Sequence, residues 1–241
     1  MTYIYGHRGA SAHCPENTMA AFVKALACGA DGIELDVHLT KDRIPVIIHD
    51  DQVKRTTNGK GWVKHLSLDE IKRLDAGSWF SPAFKTEKIL TLQEFLEWIA
   101  PTSLFLNIEL KNNTVEYEGM EALVYNLVQT YEMKERTIYS SFNHYSLVQM
   151  KKIDESVETA TLYSSALYKP WAYAKSLGAS SVHPHYKTLK PAIIQQLKAH
   201  GIGIRPYTVN QEKWLTYFFQ QNIDAIITDS PDVAHAIRHS C

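Results

Sequence analysis

A regular alternation of short apolar or β-branched runs with helix-period segments constrains the fold of this 241-residue chain more than any other feature. Nine runs are candidate strands, at residues 3–6, 32–37, 45–48, 104–110, 137–140, 158–163, 180–183, 203–207 and 225–227. Strands and helices that alternate in this way form βαβ units around a parallel sheet. Eight units in roughly 250 residues match the size of a (β/α)₈ barrel. We therefore predict an α/β fold, a (β/α)₈ TIM-type barrel.

Helix-period segments fill most gaps between these runs. In the first segment, Met19, Phe22, Val23 and Leu26 share one face, and Gly29 is the expected stop. The later segments lie near residues 117–131, 143–152, 165–177, 188–200, 210–221 and 231–238. We find no internal repeat and no Pro/Gly/Ser linker, so we predict a single domain.

The nine runs exceed the eight strands of a barrel, and the surplus lies between the second and third runs. Only residues 38–44 separate those two, whereas a parallel crossover needs about a dozen residues or more. We therefore predict an antiparallel hairpin, with Lys41-Asp42 or Asp42-Arg43 as its two-residue turn. Setting aside its return strand leaves eight barrel strands.

Residues from about 51 to 90 lack barrel periodicity and are predicted to form a small insertion after this hairpin. The segment contains four large aromatic residues, Trp62, Trp79, Phe80 and Phe84. Two capping boxes, Ser67-Leu68-Asp69-Glu70 and Thr91-Leu92-Gln93-Glu94, predict a short helix and the helix before the third barrel strand. Because barrel active sites lie at the carboxyl ends of strands, we expect the insertion to cover the substrate. A structural flap whose aromatic residues pack its underside is the alternative.

Acidic and basic side chains end two of the predicted barrel strands. Glu34 and Asp36 stand two positions apart, so both point to one face, and Glu109 and Lys111 repeat this spacing on the next barrel strand. Buried carboxylates are unfavourable unless they are paired or bind a metal. Hard oxygen ligands suit Mg²⁺ or Ca²⁺ better than Zn²⁺. We predict a divalent-metal site of Glu34, Asp36 and Glu109; a buried ion pair with Lys111 is the alternative.

Two histidines also end strands near these carboxylates. His7 ends the first strand and precedes Arg8, whose guanidinium can bind a phosphate. His49 ends the return arm of the hairpin. The turn Lys41-Asp42 places His49 opposite Glu34, and the turn Asp42-Arg43 places it opposite Asp36. An odd-numbered loop would point His49 to the other face of the hairpin. Two imidazoles beside a metal cluster and two cations are typical of phosphodiester cleavage, with one imidazole as base and the other as acid. The sequence does not assign which is which.

The remaining histidines and the cysteines carry less weight. His183 and His185 follow the seventh run and are candidate substrate contacts. We interpret seven others as surface or structural residues: His13, His38, His65, His144, His200, His235 and His239. Cys14 lies near the His7 loop but has no basic partner that we can place, so we expect a small buried residue.

Composition excludes several classes of function. The formal net charge of −1 gives no electrostatic footprint for nucleic acid, and no stretch approaches the ~20 apolar residues of a membrane span. Cys14, Cys28 and Cys241 suit neither a disulfide framework nor a CxxC metal site. We therefore expect a cytoplasmic protein that acts on a small molecule; a mature secreted form with its signal removed is the alternative.

Several segments, in their order and spacing, resemble the glycerophosphodiester phosphodiesterase family nearly end to end. They are His7-Arg8-Gly9, Pro15-Glu16-Asn17-Thr18, Glu34-Leu35-Asp36-Val37, His49-Asp50, Arg55-Thr56-Thr57-Asn58-Gly59-Lys60-Gly61, Leu74-Asp75-Ala76-Gly77-Ser78-Trp79-Phe80, Glu109-Leu110-Lys111, Ser141-Phe142 and Thr228-Asp229-Ser230-Pro231. The resemblance implies one phosphodiesterase barrel over residues 1–241, with an insertion.

The resemblance also implies the roles of the site residues. It implies a divalent metal on the three carboxylates, His7 and His49 as the acid–base pair, and Arg8 and Lys111 on the phosphate. The family releases glycerol 3-phosphate and an alcohol from deacylated phospholipids such as glycerophosphocholine and glycerophosphoethanolamine.

Two positions depart from the family pattern. Tyr207 stands where the family often has Trp, and Leu90 where Pro is common. Neither change removes a chemical group, and we expect Tyr207 to stack on the glycerol backbone of the substrate. A lipid-directed lysophospholipase D and a catalytically silent glycerophosphodiester-binding protein are the competing hypotheses. The sequence leaves open the head group, the choice of metal, the oligomeric state, and whether water or the substrate's own 2-hydroxyl attacks first.

Overall fold

The computed structural model describes residues 1–240 as a nearly closed barrel of parallel strands surrounded by helices. The strands are β1 Tyr3–His7, β2 Gly32–Leu39, β3 Pro45–Ile47, β4 Phe105–Leu110, β5 Thr137–Ser141, β6 Glu158–Tyr163, β7 Ser181–Pro184, β8 Gly203–Ile204 and β9 Ala225–Thr228. The parallel strands follow the order β8-β7-β6-β5-β4-β2-β1-β9. Between β8 and β9, Ile227 N–H donates to the Pro206 carbonyl, and Val209 N–H donates to the Ile227 carbonyl. The predicted (β/α)₈ barrel is confirmed.

Nine α-helices lie within the described residues. They are α1 Met19–Ala27, α2 Leu68–Lys72, α3 Leu92–Ile99, α4 Met120–Thr130, α5 His144–Ile153, α6 Pro170–Ser176, α7 Pro191–Ala199, α8 Glu212–Gln220 and α9 Pro231–Ser240. Each is too short or too polar to traverse a bilayer.

The packing face predicted for α1 is wrong. Ala21, Phe22 and Ala25 are fully buried, whereas Val23 and Leu26 are 47% and 41% exposed. Small alanine side chains let the helix approach the loop after β1 closely, and this close contact outweighs the larger hydrophobic area that Val23 and Leu26 would offer.

The predicted antiparallel hairpin forms between β2 and β3, but its two-residue turn is wrong. Val37 pairs with Ile47 and Leu39 pairs with Pro45, which leaves a five-residue loop at positions 40–44. Arg43 adopts a left-handed conformation in this loop, with φ of 64°. The loop is odd-numbered, so strand register alone would place position 49 out of phase with the carboxylates of β2.

The insertion at residues 51–90 contains two 3₁₀ turns, Val63–His65 and Pro82–Phe84, and the short helix α2. Both predicted capping boxes are present, at the starts of α2 and α3. The segment packs around its own apolar cluster with β3, which includes Val46, Val53 and Ile71.

Candidate active site

Three neighbouring strands carry the predicted site residues to the same end of the barrel. His7 of β1 pairs with Glu34 of β2, and Asp36 of β2 pairs with Glu109 of β4. Because the strands are parallel, their carboxyl ends meet at one rim. There, His7, Arg8, Glu34, His49 and Glu109 share the wall of a cavity of about 190 Å³.

The three carboxylates form one compact cluster. Oxygen atoms of Glu34, Asp36 and Glu109 lie within 4.8 Å of one another, and all three side chains are buried. Asp36 Oδ1 is buried without a hydrogen-bond partner. A cluster of hard oxygen donors that includes one unpartnered atom fits a divalent cation such as Mg²⁺ or Ca²⁺.

Burial and the surrounding charges shift the pKa values of these three carboxyl groups. Burial and the neighbouring Asp36 carboxylate raise the pKa of Glu34 to about 8. Burial also raises the pKa of Glu109, although Lys111 offsets part of that effect. Burial alone would raise the pKa of Asp36 too, but Lys111 and Arg8 outweigh it and hold that pKa well below its usual range. Positive charge beside the cluster is therefore strongly favourable.

Two cations supply part of that charge. Lys111 Nζ lies 2.8 Å from a Glu109 oxygen and 3.6 Å from Asp36 Oδ1. Arg8 donates its backbone N–H to Glu34 over 3.0 Å, and its Nε lies 3.5 Å from Asp36 Oδ2. Arg8 lines the cavity, and Lys111 lies against Glu109, which also lines it. Of the two cations predicted to bind phosphate, the structure therefore places Arg8 at the cavity and Lys111 on the carboxylates.

His7 is held by an aspartate that the sequence analysis did not single out. Its Nδ1 lies 2.6 Å from Asp229 Oδ1. Asp229 also accepts hydrogen bonds from Ser11 Oγ at 3.0 Å and Asn210 Nδ2 at 2.5 Å. Burial lowers the pKa of His7, but the hydrogen bond to Asp229 and the charge of Glu34 outweigh it, so the pKa is raised. The contact with Asp229 engages Nδ1 of His7, and Nε2 is the other ring nitrogen.

His49 is held in the same way, through an aspartate clamped by the insertion. Its Nδ1 lies 2.7 Å from Asp50 Oδ1. Arg55 donates to both oxygens of Asp50 and to both oxygens of Glu16, and Glu16 in turn accepts from Arg8 Nη1 over 2.7 Å. One chain of ion pairs therefore joins His49 to Arg8.

The backbone beside His49 is also fixed. Nε2 of the fully buried His38 lies 3.1 Å from the His49 carbonyl, and its Nδ1 lies 3.1 Å from the Tyr117 hydroxyl. The interpretation of His38 as a structural residue is consistent with these contacts, although its place behind His49 was not foreseen.

Aromatic and apolar residues complete the cavity wall. Tyr207 meets Phe142 edge-to-face, and its hydroxyl donates to the Tyr163 carbonyl over 3.2 Å. The insertion aromatics Trp62, Trp79, Phe80 and Phe84 are not part of this wall. Three of them pack edge-to-face on one another and Trp62 packs on the barrel core. This packing fits the alternative of a structural flap, and cover of the substrate by the insertion stays a prediction.

The two candidate histidines after the seventh run lie elsewhere. His183 is fully buried, and neither ring nitrogen has a hydrogen-bond partner. His185 packs edge-to-face against Tyr207 outside the cavity wall. Cys14 is buried, as expected of a small buried residue, and burial raises the pKa of its thiol.

Sequence reasoning missed the residues that orient the two histidines. Asp229 directly follows β9, the strand beside β1, so its position at a strand end was the available signal. Asp50 is adjacent to His49 in the chain. Glu16 and Arg55 were visible only as parts of family motifs, since nothing in their local sequence indicates that they contact each other.

Comparisons with known proteins show the family of this chain. Residues 7–233 match the glycerophosphoryl diester phosphodiesterase family. A glycerophosphodiester phosphodiesterase of Caldanaerobacter subterraneus is 44% identical over 96% of this chain and 95% of its own. The structure of an Oleispira antarctica phosphodiesterase, in complex with the product sn-glycerol-3-phosphate, is 31% identical and covers 98% of this chain and 96% of its own, with a TM-score of 0.91. A glycerophosphodiester phosphodiesterase from Agrobacterium tumefaciens is 33% identical, covers 98% and 100%, and has a TM-score of 0.87.

Proposed function

This chain belongs to the glycerophosphoryl diester phosphodiesterase family and is a phosphodiesterase, and we propose that it hydrolyses small glycerophosphodiesters to glycerol 3-phosphate and an alcohol by two-histidine acid–base catalysis. One observation carries this proposal: both imidazoles line the same cavity as Glu34 and Glu109, and each has its Nδ1 on a carboxylate. The sn-glycerol-3-phosphate named in the Oleispira antarctica structure supports the choice of product.

We propose that the three clustered carboxylates hold a divalent cation, Mg²⁺ or Ca²⁺. The supporting observations are that their oxygens lie within 4.8 Å of one another and that the buried Oδ1 of Asp36 accepts no hydrogen bond. Held by Glu34, Asp36 and Glu109, such an ion would neutralise the phosphate oxygens and lower the barrier to attack. Lys111 and Arg8 balance the remaining negative charge of the acids.

The chain's own residues bind the substrate and move protons. Arg8 faces the cavity and binds the phosphate, and Lys111, held on Glu109 and Asp36, is the second cation proposed for the phosphate. Asp229 and Asp50 fix the imidazoles of His7 and His49, so the Nε2 of each is available at the reacting centre. One takes the proton of the attacking hydroxyl and the other gives a proton to the departing alkoxide.

The cavity favours a small substrate over a lysophospholipid. Its volume of about 190 Å³ lies below the roughly 300–1,000 Å³ of pockets that enclose drug-sized ligands. Glycerophosphocholine and glycerophosphoethanolamine are therefore the proposed substrates, with Tyr207 stacking on the glycerol portion. Detection of a cyclic glycerol phosphate would show that the substrate's 2-hydroxyl attacks before water does.

We further propose that residues 1–241 act as one phosphodiesterase domain with an insertion at about 51–90. The free thiols Cys14 and Cys28 support a reducing, cytoplasmic environment.

The decisive experiment separates the acid from the base. His7→Ala and His49→Ala should each lower kcat by roughly 10²–10⁴-fold, because each removes one proton-transfer group. His65→Ala, at an exposed position of the insertion, is the matched control and should leave kcat unchanged. A substrate with a nitrophenol leaving group needs no general acid, so it should rescue only one of the two variants. That variant identifies the acid. Rescue of neither, or of both equally, would refute the division of labour.

A further inference from the structure

The carboxyl-terminal part of α9 carries a histidine pair that the proposed function does not use. His235 and His239 stand four positions apart and therefore lie on the same face of the helix. Their Nε2 atoms are 3.2 Å apart, and their ring centroids are 4.4 Å apart. The two rings meet edge-to-face, and one nitrogen of each ring lies at the contact.

This separation suits two ligands of one metal ion. Zn²⁺ binds imidazole nitrogen at about 2.0–2.1 Å, so two nitrogens 3.2 Å apart subtend an angle of roughly 100° at the ion. That angle lies between those of square-planar and tetrahedral coordination. We propose that His235 and His239 form a bidentate site for a divalent transition ion that favours imidazole, such as Zn²⁺, Ni²⁺ or Cu²⁺.

His235 is packed against the protein, whereas His239 is exposed to solvent. A Cβ built on Gly29 would lie 2.5 Å from Cδ2 and 2.8 Å from Nε2 of His235. The His235 ring therefore packs directly on the backbone of the turn between α1 and β2. His239 is exposed, so an ion can reach the pair from solvent. A fixed ligand beside an accessible one favours binding, because little rotamer freedom remains to be lost at His235.

This site is separate from the carboxylate cluster in place and in chemistry. Arg238, beside His239, donates to the Thr2 carbonyl and to the Asp31 carboxylate. Both partners precede the amino ends of β1 and β2, whereas the candidate active site lies at the carboxyl ends. Imidazole nitrogen selects transition ions, whereas carboxylate oxygen selects Mg²⁺ or Ca²⁺.

The pair is a structural site and takes no part in catalysis. In the described part of the chain, the cluster with three protein donors is the carboxylate one, so an ion on α9 takes its other ligands from water. Bridging adjacent turns, it pins the end of the helix. A hydrogen bond between two neutral imidazoles is the competing explanation of the 3.2 Å contact, and it predicts no response to metal.

The experiment titrates Zn²⁺ into the full chain in excess Mg²⁺, which occupies the carboxylates. Because the sequence has a thiol two residues after His239, all variants carry Cys241→Ser. Imidazole ¹⁵N signals report which histidines bind, and calorimetry gives the affinity. The Nε2 signals of His235 and His239 should shift together before those of any other histidine.

Variants then test the pair directly. His239→Ala, at an exposed position, should weaken Zn²⁺ binding by at least roughly tenfold, because a single imidazole remains. His65→Ala removes an exposed histidine elsewhere and should leave the affinity unchanged. Equal affinity of His239→Ala and its parent, or Zn²⁺ shifts at other histidines while the pair keeps its signals, would overturn the proposal.

Discussion

Replacing Asp229 by Asn tests how much the orientation of His7 contributes to the rate. The amide keeps the size of the carboxylate and can still accept from Ser11, but it loses the charge that faces His7 Nδ1 at 2.6 Å. Hydrogen bonds to charged groups contribute roughly 1.5–3 kcal/mol. Since 1.36 kcal/mol is tenfold in rate, kcat should fall by roughly 10- to 150-fold. KM should change little, because Asp229 does not line the cavity.

The pH profile of the same variant provides a second readout. Burial lowers the pKa of His7, and the hydrogen bond to Asp229 is the largest effect that raises it. With a neutral amide the burial effect remains and the raising effect is lost, so the pKa of His7 must fall. The limb of the kcat profile that reports His7 should therefore move to lower pH, whichever proton-transfer role His7 has.

A second aspartate–histidine pair supplies the matched control. Asp232 Oδ1 lies 3.0 Å from His13 Nε2, outside the cavity. Asp232→Asn removes a comparable contact and should leave kcat and the pH profile as in the parent enzyme. The reasoning is refuted if Asp229→Asn keeps kcat within twofold of the parent with no movement of either limb, or if both variants lose activity equally.

Three further outcomes are expected. Chelation should abolish activity, and alanine at any one of the three clustered carboxylates should impair metal binding measured by calorimetry. Full activity in excess chelator, after proof that the metal has been removed, would contradict the metal site. Tyr207→Ala should raise KM or alter head-group preference more than it lowers kcat, while Tyr207→Phe keeps the stacking ring; a kcat-dominated loss would place Tyr207 among the catalytic groups. Burial and the Arg205 charge hold the pKa of His183 in the folded protein well below its usual value of 6.5. Below pH 6.5 the unfolded state therefore binds more protons than the folded state, and the free energy of unfolding should fall as the pH drops through 6.5. In urea unfolding, His183→Leu should remove part of this pH dependence and His65→Leu should not; identical pH dependence in His183→Leu and the parent would show that His183 does not contribute.

Strand ends were the most informative part of the sequence. Parallel strands place their carboxyl ends at one rim whatever the details of their loops, so His7, Glu34, Asp36 and Glu109 could be brought together from pattern alone. The capping boxes of α2 and α3 succeeded for a similar reason, because both hydrogen bonds of each box lie within four residues. The face of α1 failed because hydrophobicity does not show which side chains are small enough for close packing.

His49 reaches the cavity by contacts that strand register does not describe. The five-residue loop makes position 49 fall opposite Leu35 by extrapolation of the β2–β3 pairing, yet the side chain lines the cavity. The reason is that β3 ends at Ile47, and the chain beyond it no longer alternates between two faces.

Beyond Ile47, contacts with residues distant in the sequence fix the position of His49. His38 Nε2 contacts the His49 carbonyl, and Asp50 contacts the His49 ring. Arg55 donates hydrogen bonds to both Asp50 and Glu16. Arg55 belongs to the insertion, so the insertion supplies the residue that clamps Asp50 beside the His49 ring. Residues 39 positions apart in sequence meet in the Arg55–Glu16 pair, and neither a period-2 nor a period-3.6 pattern encodes such a contact. We therefore expect changes at Arg55 to alter the position of the His49 ring even where they leave the cavity wall untouched.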